Sequence, residues 1–251
     1  VPDLFLWLDF ETTGLDPDAD TVLECAWCFT TSELSMVTPL RSRYTNLLPR
    51  RGAEALPAFQ GRLVDWINLK PVVRDMHHAS GLRDQWLSAP HTSRLGHAAE
   101  LHRLIADDFE EAADQISSTT DKCRIVLCGR GVSHFDNRVL AAHRVMGFDM
   151  VDDPNPMFKV AYFQHDVSVA ARVLGIQTPV LQYGLNGQPF EVVACQAGVI
   201  DDVCTHLLKD ALGPGEFNLA TLVAHRAADD VVEALVTARL LRAEHTPWPH
   251  A

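Results

Sequence analysis

The sequence predicts an α/β domain, a mixed β-sheet flanked by α-helices. Three observations lead there. The chain opens with three strand-like stretches that read as an antiparallel meander. From Thr92 onward helix and strand patterns alternate, as they do where helices cover a sheet. The 251 residues, 47% hydrophobic and 22% charged, suffice for one large core, and no internal repeat or linker divides them. The expected organisation is one domain over 1–251.

Leu4 to Asp9 reads as a buried first strand and TVLECAWCFT, from Thr21, as a second, with the turn at LDPDAD between them. A third strand is expected in the Ser35 to Leu48 region. Residues 49–90 are mixed, with short helical pieces such as FQGRLVDWI. From Thr92 to Ile116 apolar residues recur at helical spacing (Leu95, Leu101, Ile105, Phe109, Ala112), which predicts a long amphipathic helix. CRIVLC, 123–128, is a short buried strand that runs through GRGVSH into a helix, FDNRVLAAHRVM. YFQHD, 162–166, is another strand, followed by the helix VSVAARVL. Asn186-Gly187 between two apolar-rich runs predicts a β-hairpin insertion at 179–196. Two helices, near 200–212 and 225–243, complete the chain.

The formal net charge of −12 excludes holding long nucleic acid through bulk basic charge. No apolar run approaches the roughly 20 residues of a membrane span, and no signal-peptide pattern is visible at the start, so a cytoplasmic setting without membrane contact is expected. Cys25 and Cys28 form a C-x-x-C, but on a strand residues three apart point to opposite faces. There is no second C-x-x-C to complete a zinc site, and reduced core thiols are the simpler reading.

Three acidic stretches carry the chemistry. In LFLWLDFETTGLDP, Asp9 and Glu11 stand at positions i and i+2 of a strand and share a face. Two carboxylates so placed repel unless a charge neutralises them, and a divalent cation would do so. Gly14 permits a tight turn and close approach of a ligand to the backbone. Asp136, in CGRGVSHFDNRVL, follows a buried strand at the start of a helix. In HRAADDVVEAL, His225, Asp229 and Asp230 lie at a helix entry. Spacing ranks Asp229 above Asp230, because i and i+4 share a helix face, provided His225 is itself helical. Taken one at a time, each stretch also fits a solvated strand end or an acid-rich helix N-terminus.

Taken together and in order, D-F-E-T-T-G-L, S-H-F-D and H-R-A-A-D-D resemble the motifs of the DEDDh 3′→5′ exonuclease superfamily. Within it the chain looks most like the oligoribonucleases, with MHHASGL (76–82), HDVSVAARVL (165–174) and HRAADDVVEAL similar to segments of that family. The resemblance implies a ribonuclease H-like fold. It assigns Asp9, Glu11, Asp136 and Asp230 as metal ligands and His225 as the catalytic base, and so prefers Asp230 over Asp229. It implies that Thr12, Gly14 and Leu15 touch substrate, with Leu15 wedged against a base, and that His77 lies near the 5′ phosphate. It implies a homodimer in which Tyr162 and Ser168 come from the second subunit. The sequence departs from the pattern at Phe163, where an arginine is expected, and in the second motif, which carries one extra residue before Asp136.

The implied activity is metal-dependent 3′→5′ hydrolysis of short RNA or DNA oligonucleotides to nucleoside 5′-monophosphates. Two magnesium or manganese ions, balanced by the four carboxylates, would clamp an in-line displacement. The alternatives are a DNA-directed exonuclease of the proofreading or repair type and a binding module that keeps the fold without the chemistry.

Overall fold

The computed structural model describes residues 2–47, 64–90, 93–116, 123–143, 145, 160–173 and 225–244. The sheet is formed by β1 (Asp3–Thr12), β2 (Val22–Thr31), β3 (Arg41–Leu47), β4 (Arg124–Gly129) and β5 (Val160–Asp166). Its order is β3-β2-β1-β4-β5. β1 pairs antiparallel with β2, and β2 with β3, whereas β1–β4 and β4–β5 are parallel. The sheet is therefore mixed, and the carboxyl ends of β1, β4 and β5 share one edge. The helices are α1 (Pro71–Ala79), α2 (Leu82–Ser88), α3 (Ala98–Ile116), α4 (Asp136–Ala142), α5 (Val167–Val173) and α6 (Ala227–Glu244).

β1 is central and apolar on both sides, and its two-residue period sorts its side chains into two cores. Leu4, Leu6, Leu8 and Phe10 pack with Leu101, Ile105 and Phe109 of α3 and with Val139 and Leu140 of α4. Phe5 and Trp7 pack with Ala26, Val126 and the α6 residues Val231, Leu235 and Ala238. Burying side chains of this size contributes about 1.5–3 kcal/mol each. The same alternation carries Asp9 and Glu11 onto the α6 side. Cys25 and Cys28 fall in opposite cores, as their spacing on a strand requires, and both are free thiols.

Several boundaries differ from the sequence reading. β1 continues through the acids to Thr12, with an irregularity in its pairing between Glu11 and Thr12. The third strand starts at Arg41, because Ser35 to Leu40 forms a turn in which Thr38 Oγ1 accepts the Phe29 N–H at 2.8 Å. The long helix begins at Ala98. Leu95 is buried by a bridge to β3 instead, with its N–H on the Tyr44 carbonyl at 3.0 Å and its carbonyl on the Asn46 N–H at 2.9 Å. Val64 to Ile67, the described part of FQGRLVDWI, is not helical. The 179–196 hairpin and the 200–212 helix lie outside the described residues.

Candidate active site

Asp9 sits near the carboxyl end of β1, where Cα pairing sets it opposite Ala26, and Glu11 pairs with Glu24 of β2. Asp136 is the first residue of α4 and is buried. The turn leading to it starts at Gly129, where a Cβ would stand 2.8 Å from the Leu8 carbonyl oxygen. Only glycine lets β4 leave the sheet this close to β1, and the close approach brings Asp136 beside the first-motif acids. Asp230 lies in the first turn of α6, and its Oδ2 accepts the backbone N–H of His225 at 3.1 Å.

The four carboxylates share one electrostatic pocket. Burial pushes the Asp9 carboxyl well above the ordinary range, and the charges of Asp136, Asp230, Glu11 and Glu24 push it further. Glu11 rises to about 9 through burial and the charges of Asp230, Glu24 and Asp136. Asp136 rises to about 8, chiefly by burial, against a backbone hydrogen bond from Phe10. Asp230 rises to about 7 by burial and the Glu233 charge, opposed by Arg130. Asp9 Oδ2 and Asp136 Oδ1 are buried and have no hydrogen-bond partner among the described residues. Buried carboxylate oxygens left unpaired are costly unless protonated or bound to a cation. All these donors are hard oxygens, so the set fits a divalent cation of the magnesium or manganese kind.

Glu11, His225 and Asp230 each bring one ligating atom within 4.8 Å of the others. His225 is exposed and has a positive φ of 63°. It therefore precedes the helix, and the i,i+4 argument for Asp229 does not apply: the chain turns at His225 and presents Asp230, not Asp229, to the cluster. Partial burial of the imidazole and the Arg130 guanidinium hold its pKa below the ordinary value.

The residues expected to touch substrate are placed differently from one another. Leu15 is 76% exposed. It projects from a loop held by Asp20, whose Oδ1 accepts the Thr13 hydroxyl at 3.0 Å and whose Oδ2 accepts the Asp16 N–H at 2.9 Å. Gly14 packs on that same carboxylate, where a Cβ would meet Oδ2 at 2.4 Å. Thr12 is buried and its hydroxyl donates to the Gly14 carbonyl.

His77 does not reach the front of the site. It is 0% exposed, and its Nε2 lies 2.7 Å from the Thr12 carbonyl, with Nδ1 3.8 Å from Glu11 Oε2. Burial depresses its pKa, and it braces the end of β1 as a neutral ring donating from Nε2. The contacts His77 makes are thus with the end of β1, beside Glu11. Ser168 donates its hydroxyl to Asp166 at the start of α5. Tyr162 lies on β5, and its side chain lies outside the described residues.

Five further residues that the sequence reading did not name support the site: Glu24, Arg226, Arg130, Glu233 and Asp166. Glu24 is buried and accepts from Arg226 and from the Ala227 N–H at 3.0 Å, which docks the start of α6 on β2. A glutamate inside the apolar run VLECAWC was a readable signal, although its partner was not. Arg130 is gripped by Glu233, with Nη1 2.8 Å from both carboxylate oxygens. Asp166 accepts the Gly131 N–H at 3.2 Å and the Ser133 hydroxyl at 2.7 Å, tying the second-motif loop to β5.

No protein-family model matches the chain. An oligoribonuclease from Hahella chejuensis (strain KCTC 2396) is 51% identical over 35 residues, which cover 14% of this chain and 19% of that protein. E. coli exonuclease I, in its zinc-bound complex with single-stranded DNA, matches 98% of this chain and 42% of its own, with a TM-score of 0.51 and 17% identity. The fold is that of exonuclease I. The same enzyme in complex with a 5cy-dT13 oligonucleotide gives a TM-score of 0.50 at 18% identity over 98% of this chain and 42% of its own. The chain spans less than half the length of these exonuclease I chains. Its five-stranded exonuclease sheet puts the acids at the shared carboxyl edge of β1 and β4, where open α/β sheets commonly bind ligands.

Proposed function

We propose that this chain is a metal-dependent 3′→5′ exonuclease that hydrolyses short single-stranded oligonucleotides to nucleoside 5′-monophosphates. One observation carries the reading. Asp9, Glu11, Asp136 and Asp230, from three separate parts of the chain, converge on an exonuclease I fold so that the charges of the other three raise the Asp9 carboxyl, with the His225 ring beside Glu11 and Asp230. Such a cluster is unfavourable as a merely structural feature and becomes favourable with a bound cation.

Asp9, Glu11, Asp136 and Asp230 would hold two magnesium or manganese ions. Bound there, the ions supply Lewis-acid stabilisation of the charge that develops on the phosphodiester. The chain's own residues do the rest. His225, exposed and neutral near pH 7, takes the proton of the attacking water. Leu15 offers an apolar surface to the terminal base from the Asp20-braced loop. His77 and Thr12 hold the end of β1 so that Glu11 keeps its place.

Short substrates suit a net charge of −12, since only a few phosphates then need neutralising. The 35-residue match to an oligoribonuclease supports RNA. A second reading, a DNA-directed exonuclease, is supported by the single-stranded DNA held by the solved structures that share the fold. The test is incubation of 5′-labelled RNA and DNA of two, five and twenty nucleotides with magnesium, manganese or chelator, beside Asp9→Ala. Metal-dependent laddering from the 3′ end, lost in the variant, is expected, with the shortest RNAs consumed first. Faster loss of the longest DNA selects the second reading. No cleavage under any metal would overturn both.

A further inference from the structure

Arg130 follows β4 and binds Glu233, which stands three residues after Asp230 on α6. Its backbone is bracketed by two constrained glycines. Gly129 lies against the Leu8 carbonyl, and Gly131 has φ +79° and donates its N–H to Asp166. Its guanidinium is gripped on one side only. Nη1 makes both bonds to Glu233, whose side chain is 3% exposed, while the arginine side chain is 34% exposed. The three remaining N–H groups, on Nη2 and Nε, have no partner among the described residues. Its charge acts directly on both His225 and Asp230. The loop that carries it is also where the second motif has its extra residue. A buried carboxylate that holds an arginine by one nitrogen leaves a rigid, half-open fork, the geometry that matches two oxygens of a phosphate.

We propose that Arg130, positioned by Glu233, is a further substrate-contacting residue that pairs with non-bridging oxygens of the phosphodiester presented to the acid cluster. The inference rests on the nuclease reading above and adds to it a fixed cation and a positioning carboxylate. Arg226, the other arginine shown to act on the cluster, spends Nε and Nη2 on Glu24 and Tyr44 and its side chain is 15% exposed, so Arg130 is the more open of the two. Glu233 does not touch substrate. Its role is to hold the fork.

The test is equilibrium binding of a fluorescein-labelled five-nucleotide RNA and DNA to the full chain, with calcium in place of magnesium, across a salt series. Arg130→Gln strands the buried Glu233 carboxylate, so the double variant R130Q/E233Q and the conservative R130K are measured beside it, with thermal melts to confirm folding. Loss of one phosphate contact should weaken binding about tenfold and flatten the slope of log affinity against log salt by about 0.7. R130K should recover the slope but not the full turnover, because an ammonium lacks the fork. A folded R130Q/E233Q with wild-type affinity and slope would overturn the Arg130 assignment alone. A wild-type chain that neither binds nor cleaves either oligonucleotide would overturn the nuclease reading and this assignment with it.

Discussion

Arg226 and Glu24, 202 residues apart in the chain, form a two-pronged ion pair, Nη2 to Oε1 at 2.9 Å and Nε to Oε2 at 3.2 Å. Glu24 also accepts the Ala227 N–H, and Tyr44 accepts a further bond from Arg226 at 3.2 Å. Because Glu24 stands opposite Glu11 in the β1–β2 register, this pair sets the entry of α6 beside the first-motif acids. It joins the third motif to the first.

Removing one partner of so buried a pair leaves an uncompensated charge and costs about 3–5 kcal/mol. Arg226→Ala should lose that much in urea denaturation, and Arg226→Lys a smaller part, since an ammonium cannot serve both oxygens. A loss below 1 kcal/mol would show that α6 docks by its apolar face alone.

The raised acids make a pH prediction for the metal-free protein. Glu11, Asp136 and Asp230 titrate at about 9, 8 and 7 in the folded chain. An unfolded carboxyl titrates at roughly 4. Between these values the unfolded state binds fewer protons, so stability falls as pH rises. With chelator, Tm should therefore drop from pH 5 to pH 9. Magnesium held by these acids would bind their deprotonated forms, so its stabilising increment should grow over the same range. A chelated Tm that rises with pH in that window would contradict the acid cluster.

His225→Ala should lower turnover by about 10²–10⁴-fold, the usual contribution of a general base. Manganese affinity, followed by electron paramagnetic resonance, should change little. A large loss of affinity would make His225 a ligand, a role open to it because one of its ring nitrogens lies within 4.8 Å of the ligating oxygens of Glu11 and Asp230.

Asp230→Asn should abolish activity while Asp229→Asn leaves most of it, because the His225 turn presents only the former to the cluster. The reverse result in a nuclease assay would reinstate the spacing argument for Asp229.

Gly129→Ala should destabilise by about 1–3 kcal/mol, as overpacking does, because the added carbon meets the Leu8 carbonyl at 2.8 Å. Gly96→Ala is the control: among the described residues nothing lies within 4 Å of its added carbon. Chemical denaturation of both separates close packing from a general dislike of substitution.

Much of the architecture was legible because it is local. The two-residue period of a strand puts Asp9 and Glu11 of β1 on one face, and Cys25 and Cys28 of β2 on two. Leu95 shows where locality fails: its helical spacing with Ala98 and Leu101 is real, yet pairing with β3 buries it better. His77 shows the same for a site residue. Its motif spacing is retained, but the Thr12 carbonyl takes its Nε2 and Trp66 packs edge-on at 6.1 Å, so it stands behind the acids.

The sequence by itself put Asp9, Glu11, Asp136, Asp230 and His225 forward as the candidate site, and fixed the face of β1 from which two of them project, because residue identity and strand period are local properties. Spacing alone pointed to Asp229 and the motif resemblance to Asp230; only the tertiary structure brings Asp230 beside Glu11 and His225, ties Arg226 to Glu24, and seats Arg130 on Glu233. Those outcomes depend on contacts between residues five to 202 positions apart and on one positive φ at His225. No periodicity encodes them, because the energy that selects them comes from pairing buried charges across the sheet.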